Sequence, residues 1–204
     1  MNQNSVSRAT LGRLPIYLKF LKSIESETKT ISATAISKAL EFGEVQVRKD
    51  LATVSNIGKP KIGYVTAELI ESLEAYLGGN RKTKAVLVGA GKLGKALRDY
   101  EGFSDYGLEI SAAFDVSLDK PIASESGKII YPMDEFDKFC SNGDIKIGII
   151  TVPKNSAQDV CNLMVKANIT AIWSFSPEPL KVPDNVIVQH ENLALSLAHL
   201  NKLL

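Results

Sequence analysis

The chain contains few of the residues that build metal, disulfide or catalytic sites: its 204 residues include two cysteines, two histidines and one tryptophan. Cys140 and Cys161 are far apart and form no C-x-x-C pair, which argues against a disulfide framework and against a zinc site. The N-terminus lacks an apolar run of signal-peptide length, and no segment approaches the ~20 apolar residues of a membrane span. We therefore expect a cytoplasmic protein that does not associate with membranes.

The formal net charge of +1 is unevenly distributed. Residues 1–63 contain ten Lys/Arg and five Asp/Glu, whereas the remainder contains fourteen and eighteen. A basic segment is the expected electrostatic footprint of a protein that binds nucleic acid. Charge alone does not decide this, because chance clustering on a solvated face gives the same pattern.

The first 79 residues contain four stretches with apolar residues at helical spacing. We expect Pro15 to open the first helix, Ser32 to cap the second, which Gly43 closes, and Thr66 to cap the fourth. Residues 58–65, between the third and fourth helices, are bounded by glycine and predict a small hairpin with a basic tip. Three helices followed by a hairpin are typical of a winged helix-turn-helix DNA-binding domain.

In such a domain the third helix enters the major groove and the wing contacts the backbone or the minor groove. The third helix has an apolar face, and its other face carries Gln46, Lys49, Asp50 and Thr53, with Arg48 at the flank. Gln46 suits adenine, and Arg48 and Lys49 suit guanine or phosphate. The predicted DNA-binding residues are Gln46, Arg48, Lys49, Lys59 and Lys61. A small helical cap that exposes the same side chains to solvent remains the alternative.

A dinucleotide-binding motif follows a polar stretch at residues 80–84. The apolar strand 85–88 runs directly into Gly89-Ala90-Gly91-Lys92-Leu93-Gly94, and a helix follows. This order supports the motif, because one glycine permits the tight turn, the next lets the backbone approach a pyrophosphate, and the third permits close helix packing. The pyrophosphate would lie at the positive N-terminus of that helix.

The next predicted strand, 108–114, ends at Asp115, close to the spacing expected for the acid that binds a ribose 2′-hydroxyl. A carboxylate at this position repels a 2′-phosphate, so NAD(H) is favoured over NADP(H). Strands at 145–151 and 170–175 continue the alternation of strand and helix that predicts a doubly wound sheet. The predicted cofactor-binding residues are Gly89, Ala90, Gly91, Lys92, Leu93, Gly94, Asp115, Val152 and Pro153. A Rossmann-like domain with an empty or different pocket remains open.

The predicted fold class is therefore α/β, with an N-terminal winged helix-turn-helix domain and a C-terminal Rossmann domain. We place the DNA-binding domain at 1–79, a linker at 80–84, the NAD(H)-binding domain at 85–189 and a terminal helix at 190–204. Leucines recur at helical spacing in that last helix. Such a stripe packs on its own domain or serves a homodimer.

Together these segments resemble the Rex family of bacterial repressors, which sense the NADH/NAD⁺ balance. The resemblance covers nearly the whole chain and rests on several motifs in the same order. The motifs in the first domain are Arg13-Leu14-Pro15-x-Tyr17-Leu18, Gln46-Val47-Arg48-Lys49-Asp50-Leu51 and Gly63-Tyr64. Those in the second are Val88-Gly89-Ala90-Gly91-x-Leu93-Gly94 with Tyr100, Phe114-Asp115, Val152-Pro153 with Ala157-Gln158, and Phe175-x-Pro177 with Val182-Pro183.

The resemblance implies a transcriptional repressor that binds a palindromic operator as a homodimer, with the terminal helix swapped onto the partner. It implies that NADH binding closes the dimer and releases DNA. By position, Gly89, Gly91 and Gly94 would cradle the pyrophosphate, and Asp115 would bind the adenosine ribose. Arg48, Lys49, Lys59 and Lys61 would face DNA.

The chain departs from the family at two kinds of position. After Asp50-Leu51 it has Ala52-Thr53-Val54-Ser55 in place of Ser-Tyr-Phe-Gly, and its wing has Lys59-Pro60-Lys61 in place of an Arg-Gly pair. The family's switch acid, at the start of the last helix, is here Asn192, and its partners in the switch are Lys19 and Tyr100. Glu191 is adjacent but would point about 100° away on a helix.

A charge-assisted hydrogen bond is about twice as strong as a neutral one, so an amide at this position weakens the switch. We therefore predict either a Rex repressor or a Rex-like paralogue whose NADH response is weakened or lost.

Two other functions remain as alternatives. An NAD-dependent oxidoreductase needs a proton donor beside the nicotinamide. The histidines, His190 and His199, lie near the C-terminus, and little chain remains for a substrate domain, so we predict no catalysis. A CoA-binding module would use the same glycine loop without nicotinamide, and Asp115 argues mildly against it.

Overall fold

The computed structural model of the chain describes residues 6–55, 57–59, 62–78, 82–124 and 127–202. The chain divides into two compact units, Met1–Arg81 with Asp105–Gly107 and Lys82–Ser104 with Leu108–Leu204. In the described ranges, no helix is both long and apolar enough to cross a bilayer. The domain boundaries inferred from the sequence stay predictions.

The first unit packs its helices around one apolar core. Its described elements are α1 (Arg8–Ile24), β1 (Thr30–Ile31), α2 (Ala33–Leu40), α3 (Glu44–Val54), β2 (Tyr64–Val65) and α4 (Thr66–Leu77). Residues at helical spacing meet at its centre because each helix buries one apolar face. The most deeply buried are Leu14, Tyr17, Leu21, Ile36, Val47, Leu51, Leu69 and Leu73.

The start of α1 differs from the sequence prediction. The helix begins at Arg8, where the Ser7 side chain accepts a hydrogen bond from the Thr10 backbone N–H at 3.1 Å. Pro15 therefore lies inside the helix rather than at its first position, and that prediction was wrong. A proline in a helix removes one backbone hydrogen bond, and the burial of Leu14 and Tyr17 on either side stabilises α1 across it.

The caps of the next helices are partly as predicted. Ser32 caps α2, with its hydroxyl accepting from the Ala35 N–H at 3.0 Å. The helix ends before Gly43, at Glu41 in the left-handed conformation, and Gly43 instead precedes α3 as its N-cap. Thr66 does not cap α4, because Val65 occupies the cap position and Thr66 is the first helical residue.

The wing is more than a simple hairpin. Lys59 and Gly63 exchange two backbone hydrogen bonds of 2.8 and 2.9 Å, which close the predicted turn. The strand that follows, β2, pairs antiparallel with β1, the strand that precedes α2. β1 was not predicted from the sequence, because it has only two residues. The Gly63 backbone, with φ of +86°, leaves no room for a side chain against the Ile31 carbonyl.

The second unit is built around a sheet of seven described strands. The strands are β3 (Thr83–Val88), β4 (Leu108–Asp115), β5 (Ile122–Ala123), β6 (Ile129–Pro132), β7 (Ile145–Ile150), β8 (Ala171–Ser174) and β9 (Ile187–His190). The helices are α5 (Lys92–Asp99), α6 (Phe136–Asn142), α7 (Lys154–Lys166) and α8 (Leu193–Asn201), with 3-10 turns at Glu101–Tyr106 and Met133–Glu135.

The strand order is β5-β6-β4-β3-β7-β8-β9, and all neighbours are parallel except β5 and β6. The chain leaves β3 towards β4 on one side and returns to β7 on the other, so the order reverses beside β3. This confirms the predicted doubly wound sheet. In such sheets the binding crevice lies outside the carboxyl ends of the strands at that reversal. The loops that follow β3, β4 and β7 therefore form the candidate cofactor site.

Candidate DNA interface and cofactor site

Three of the five predicted DNA-binding residues lie on one exposed face of α3, the reading face. Gln46, Arg48 and Lys49 are all exposed. The Arg48 Nη2 lies 2.6 Å from Glu44 Oε1 one turn earlier, so this guanidinium is directed along the helix surface. A solvated ion pair of this kind contributes little to stability. Arg48 can therefore exchange Glu44 for a phosphate or a base. The face therefore offers an amide, a guanidinium and an ammonium group.

Asp50 corrects the sequence analysis, which placed it on the exposed face of the third helix. Its side chain is 1% exposed, and it accepts hydrogen bonds from Arg13 Nε at 2.7 Å, Arg13 Nη2 at 3.0 Å and Tyr17 Oη at 2.8 Å. Gln46 Nε2 donates to the same carboxylate at 3.1 Å. The carboxylate is thus buried between α1 and α3, where its charge is compensated by a bidentate guanidinium.

Burial alone would raise the pKa of Asp50, but the hydrogen bonds from Arg13, Tyr17, Thr10 and Gln46 together outweigh it and hold that pKa below its usual value. Desolvation, with the hydrogen bond to Asp50 adding to it, raises the pKa of Tyr17 to about 12. The network is therefore a carboxylate, a guanidinium and a protonated phenol at neutral pH. No signal in a single sequence marks it, because Arg13 and Tyr17 lie more than thirty residues before Asp50.

The wing places Lys59 on the surface, and Lys61 lies outside the described residues. Arg48 and Lys59 both line a depression of about 440 Å³, together with the start of α2 and the ring of Tyr64. Two cationic side chains and a helix N-terminus around one depression form an environment that attracts anions. This places one predicted recognition-helix residue beside one predicted wing residue.

The glycine loop between β3 and α5 is shaped by close backbone packing. Gly89 has φ of +102°, and a Cβ there would lie 2.9 Å from the Thr151 carbonyl carbon. A Cβ at Gly94 would collide with the Gly89 carbonyl oxygen. Thr151 Oγ1 donates to that same oxygen at 2.7 Å and fixes the loop to the end of β7. Gly89 and Gly94 are therefore required by the turn and by the packing of the helix against the strand.

Gly91 has a different environment. A Cβ at this position would meet no atom within 4 Å, and its φ of −66° is accessible to any residue. The open space lies at the N-terminus of α5, where the first backbone N–H groups of a helix have no partner within the helix. A pyrophosphate fits this arrangement, because it can approach the Gly91 backbone and accept from those groups. Lys92, Leu93 and Gly94 form the first turn of α5.

Asp115 ends β4 beside this loop. Its Oδ2 accepts from the Ala90 N–H at 2.7 Å, and its Oδ1 accepts from the Ser117 N–H and hydroxyl at 2.9 and 2.7 Å. Burial raises the pKa of Asp115, but these bonds from Ser117 and Ala90 outweigh it and hold the pKa below its usual value. A carboxylate offers about four acceptor sites, so one remains for a ribose hydroxyl.

Val152 and Pro153 lie where β7 passes into α7, and Pro153 is the N-cap of α7. Val152 Cγ1 lies 2.9 Å from the position of a Cβ on Gly89, so Val152 is in contact with the glycine loop. The structure therefore brings the residues after β3, β4 and β7 to one edge of the sheet. Thr151, which connects two of these segments, was not predicted from the sequence as a site residue.

The three residues predicted for the switch are all on the surface. Lys19 is exposed on α1. Tyr100 is 61% exposed and follows α5 as its C-cap. Asn192 caps α8, and its side-chain oxygen accepts from the Leu195 N–H at 2.9 Å.

Glu191 was treated in the prediction as part of the last helix, but it precedes the cap of α8 and does not lie on the helix. Its Oε1 accepts from Trp173 Nε1 at 3.3 Å and from Gln189 Nε2 at 3.0 Å. Trp173 in turn packs on Phe103 and Phe175, with ring centroids 5.9 and 4.6 Å apart. This aromatic cluster was also missed from the sequence.

Neither histidine lies among the residues at the glycine loop: His190 ends β9 and His199 lies in α8, and both are exposed. In the ranges that the structure covers, no three His, Cys, Asp or Glu side chains are grouped so as to hold a metal ion. Burial raises the pKa of the Cys140 thiol to about 11, with Asp137 adding to the shift. At neutral pH the thiol is therefore protonated, and Cys140 is a buried core residue.

Comparison with known proteins assigns the chain to a family. Residues 5–52 match the family described as the putative DNA-binding protein N-terminus, and residues 80–178 match the CoA binding domain. The chain is 43% identical over 193 residues to the redox-sensing transcriptional repressor Rex of Treponema denticola, covering 94% of this chain and 91% of the relative. It is 39% identical to the Rex of Bacteroides thetaiotaomicron, covering 95% and 88%.

Solved structures give the same assignment. The structure of RSP in complex with β-NAD⁺ and operator DNA matches with a TM-score of 0.89 at 31% identity, covering 98% of this chain and 92% of that chain. RSP in complex with β-NADH matches with a TM-score of 0.81, and RSP is described as a Rex-family repressor. The expected pairing of a winged helix-turn-helix domain with a Rossmann domain is confirmed. The chain belongs to the Rex family of redox-sensing transcriptional repressors.

Proposed function

We propose that this chain is a dimeric transcriptional repressor that binds a palindromic operator and releases it in response to the NADH/NAD⁺ balance. The observation that carries the proposal is the open cradle at Gly91, which lies beside Asp115 in a chain that also exposes Gln46, Arg48 and Lys49 on α3. The relatives are named as redox-sensing repressors, and RSP was solved with operator DNA and NAD⁺ and with NADH.

The DNA-binding role is supported by the exposed side chains of the first unit. We assign base contacts to Gln46, Arg48 and Lys49, because an amide suits adenine and cations suit guanine or phosphate. Lys59 would contact the backbone from the wing, beside Arg48 at the depression between them. We assign the same role to Lys61 from the sequence alone.

For the cofactor, Gly89 and Gly94 would shape the loop and Gly91 would admit the pyrophosphate. The N–H groups of Lys92 and Leu93 begin α5 and would donate to it. Asp115 would accept from the adenosine ribose while it holds Ala90, and Val152-Pro153 would border the nicotinamide side of the crevice. NAD(H) supplies no chemistry in this role beyond its two redox forms, which the protein would distinguish by binding.

The second unit has the surfaces that a swapped dimer requires. The leucines of α8 are solvent-exposed in the single chain, with Leu193, Leu195, Leu197 and Leu200 each 57–69% exposed. The sheet also presents an apolar groove of about 320 Å³, which includes Phe103, Ile147 and Trp173. We propose that α8 of each protomer leaves its own unit and packs on its partner.

The switch is proposed to be retuned. Asn192 stands where the family places an acid, and its oxygen already accepts from Leu195. A neutral amide forms a weaker bond to Lys19 or Tyr100 than a carboxylate does. We therefore expect NADH to release DNA less steeply from this protein than from its Asn192→Asp variant.

The test is binding to a fluorescent Rex-type palindromic duplex at one fixed salt concentration, with NADH, NAD⁺ or CoA added. Salt is fixed because phosphate contacts make affinity steeply salt-dependent. We expect tight binding that NADH lowers, and a steeper NADH response in Asn192→Asp. Release by CoA alone would favour a CoA-binding module over the redox sensor.

Absence of specific binding to this duplex, and to duplexes selected from random sequence, would contradict the DNA-binding proposal. We further propose that the chain performs no catalysis, since neither histidine lies at the glycine loop. Steady NADH absorbance over hours in the same samples is the expected result. Oxidation of NADH at a rate proportional to protein concentration, with any small carbonyl compound added, would contradict it.

A further inference from the structure

Gln46 connects the buried network of the first unit to its exposed reading face. Asp50 lies inside the unit, where Arg13 and Tyr17 donate to it. Gln46 is exposed on α3, one turn before Asp50, and its Nε2 donates to Asp50 Oδ1 at 3.1 Å. Among the described side chains that donate to the Asp50 carboxylate, Gln46 is therefore the exposed one.

The chemistry of the two groups fixes the orientation of the amide. An ionised carboxylate accepts hydrogen bonds and donates none, so Gln46 must turn its nitrogen, not its oxygen, towards Asp50. Arg13 holds that carboxylate in place through two bonds, which keeps it from following the amide if the amide rotates. The end of Gln46 is thus held in one of its two flip states.

This orientation selects what Gln46 offers to solvent. One of its two N–H groups is used by Asp50, which leaves one N–H donor and the carbonyl acceptor for another partner. The major-groove edge of adenine carries an acceptor at N7 and a donor at N6, which matches this pair. The edge of guanine carries two acceptors, N7 and O6, and requires two donors. A free glutamine can turn both N–H groups outward, whereas the held one cannot.

We propose that Asp50 sets the base preference of Gln46, so that Gln46 selects adenine over guanine at one position in each operator half-site. Gln46 is the specificity-determining residue, and Asp50 is a positioning residue that acts through it. The inference rests on the proposed function, because it assumes that α3 enters the major groove. It goes beyond that function in naming the two atoms of adenine that are recognised and the buried group that enforces the choice.

The first test is a base-substitution series with the full-length protein. Each A·T pair of the operator is replaced in turn by G·C and by a pair containing 7-deazaadenine, which lacks the N7 acceptor. We expect the unaltered protein to lose on the order of ten- to a hundredfold affinity at one position per half-site for both replacements. Gln46→Met, which is of similar length but forms no such bonds, should lose this discrimination at that position alone.

The positioning role is tested by Asp50→Asn, whose amide can present either a donor or an acceptor to Gln46. We expect the variant to bind the operator but to distinguish adenine from guanine at that position by less than about threefold. The matched control is Tyr17→Phe, which removes another bond to Asp50 and leaves the Gln46 bond in place. It should retain the full discrimination, a result that general loosening of the unit would not give.

A measurement on the unaltered protein covers the case in which Asp50→Asn does not fold. In the NMR spectrum of the free protein, the two side-chain N–H protons of Gln46 should differ, with one shifted and slow to exchange and the other ordinary. Equal exchange of the two protons would overturn the positioning role. Unchanged discrimination in Gln46→Met, or in folded Asp50→Asn, would overturn the inference while leaving DNA binding intact. Absence of any specific binding by the unaltered protein would contradict the proposed function, and this inference with it.

Discussion

The two candidate sites are held in shape by different means. On α3 the exposed Gln46 is oriented by side chains, a buried carboxylate and its guanidinium and phenol partners. At the glycine loop the geometry is set by the backbone, because Gly89 and Gly94 pack where a Cβ would touch neighbouring main-chain atoms. The first arrangement depends on protonation and charge, and the second depends on volume. The two sites should therefore fail under different perturbations.

The largest expected effect is at Gly91, where added volume meets the ligand rather than the protein. We expect Gly91→Val to lose at least about a hundredfold in NADH affinity, because the side chain fills the space that the pyrophosphate needs. The free energy of unfolding should fall by no more than about 1 kcal/mol, the cost of a poor helix cap. Calorimetry with NADH measures the affinity. DNA affinity without NADH should not change, and NADH affinity equal to that of the unaltered protein would contradict the loop assignment.

At Gly94, three residues further on, we expect a substitution to lower stability as well as NADH affinity. Gly94→Ala places a Cβ against the Gly89 carbonyl oxygen, so the helix must move from the strand, at a cost of about 1–3 kcal/mol of stability. Trp173, the one tryptophan of the chain, lies in the second unit and reports its unfolding. Denaturant titration followed by its emission should show the loss, together with weaker NADH binding. Full stability in this variant would show that the loop is not closely packed.

Acid should destabilise each of the two units through one carboxylate, Asp50 in the first and Asp115 in the second. The folded pKa values of Asp50 and Asp115 are both lowered, so each contributes stability above its unfolded pKa, roughly 3.9, which is lost as pH falls through the folded pKa. Asp50→Asn should flatten this acid dependence when helix content is followed by circular dichroism. Asp115→Asn should flatten it in the Trp173 emission. Circular dichroism records the helices of both units, so Trp173 emission decides whether they unfold separately. An effect of Asp50→Asn on that emission as large as the effect of Asp115→Asn would show that they do not.

The contrast between the glycine loop and the Asp50 network also explains which features could be predicted from the sequence. The glycine motif was predictable, because its geometric demands fall on neighbouring residues and leave a local pattern. The role of Asp50 was not, since its partners Arg13 and Tyr17 are distant in sequence and a carboxylate on an amphipathic helix is usually solvated. The first helix was placed too late, because proline is favoured at the first position of a helix and the Ser7 cap was not recognised.

The sheet was predicted at its centre and missed at its edges. Long buried strands such as β3 and β7 appear in the sequence as continuous apolar runs. The missed strands β5, β6 and β9 have two, four and four residues, too few to show a period. The roles of individual site residues stay predictions.

The smallest expected effect concerns Thr66, a buried polar group of the first unit outside the Asp50 network. Its side-chain hydroxyl finds no hydrogen-bond partner among the described residues, and the residue is 1% exposed. A buried hydroxyl without a partner is destabilising, so Thr66→Val, which keeps the shape, should raise the free energy of unfolding by about 1 kcal/mol. Far-UV circular dichroism in urea measures the change, with Thr53→Val as the control, because the Thr53 hydroxyl donates to the Asp50 carbonyl at 2.6 Å. A loss of stability in Thr66→Val as large as in the control would mean that its hydroxyl is satisfied in solution. The buried polar groups that contribute to the stability of the first unit would then extend beyond the Asp50 network.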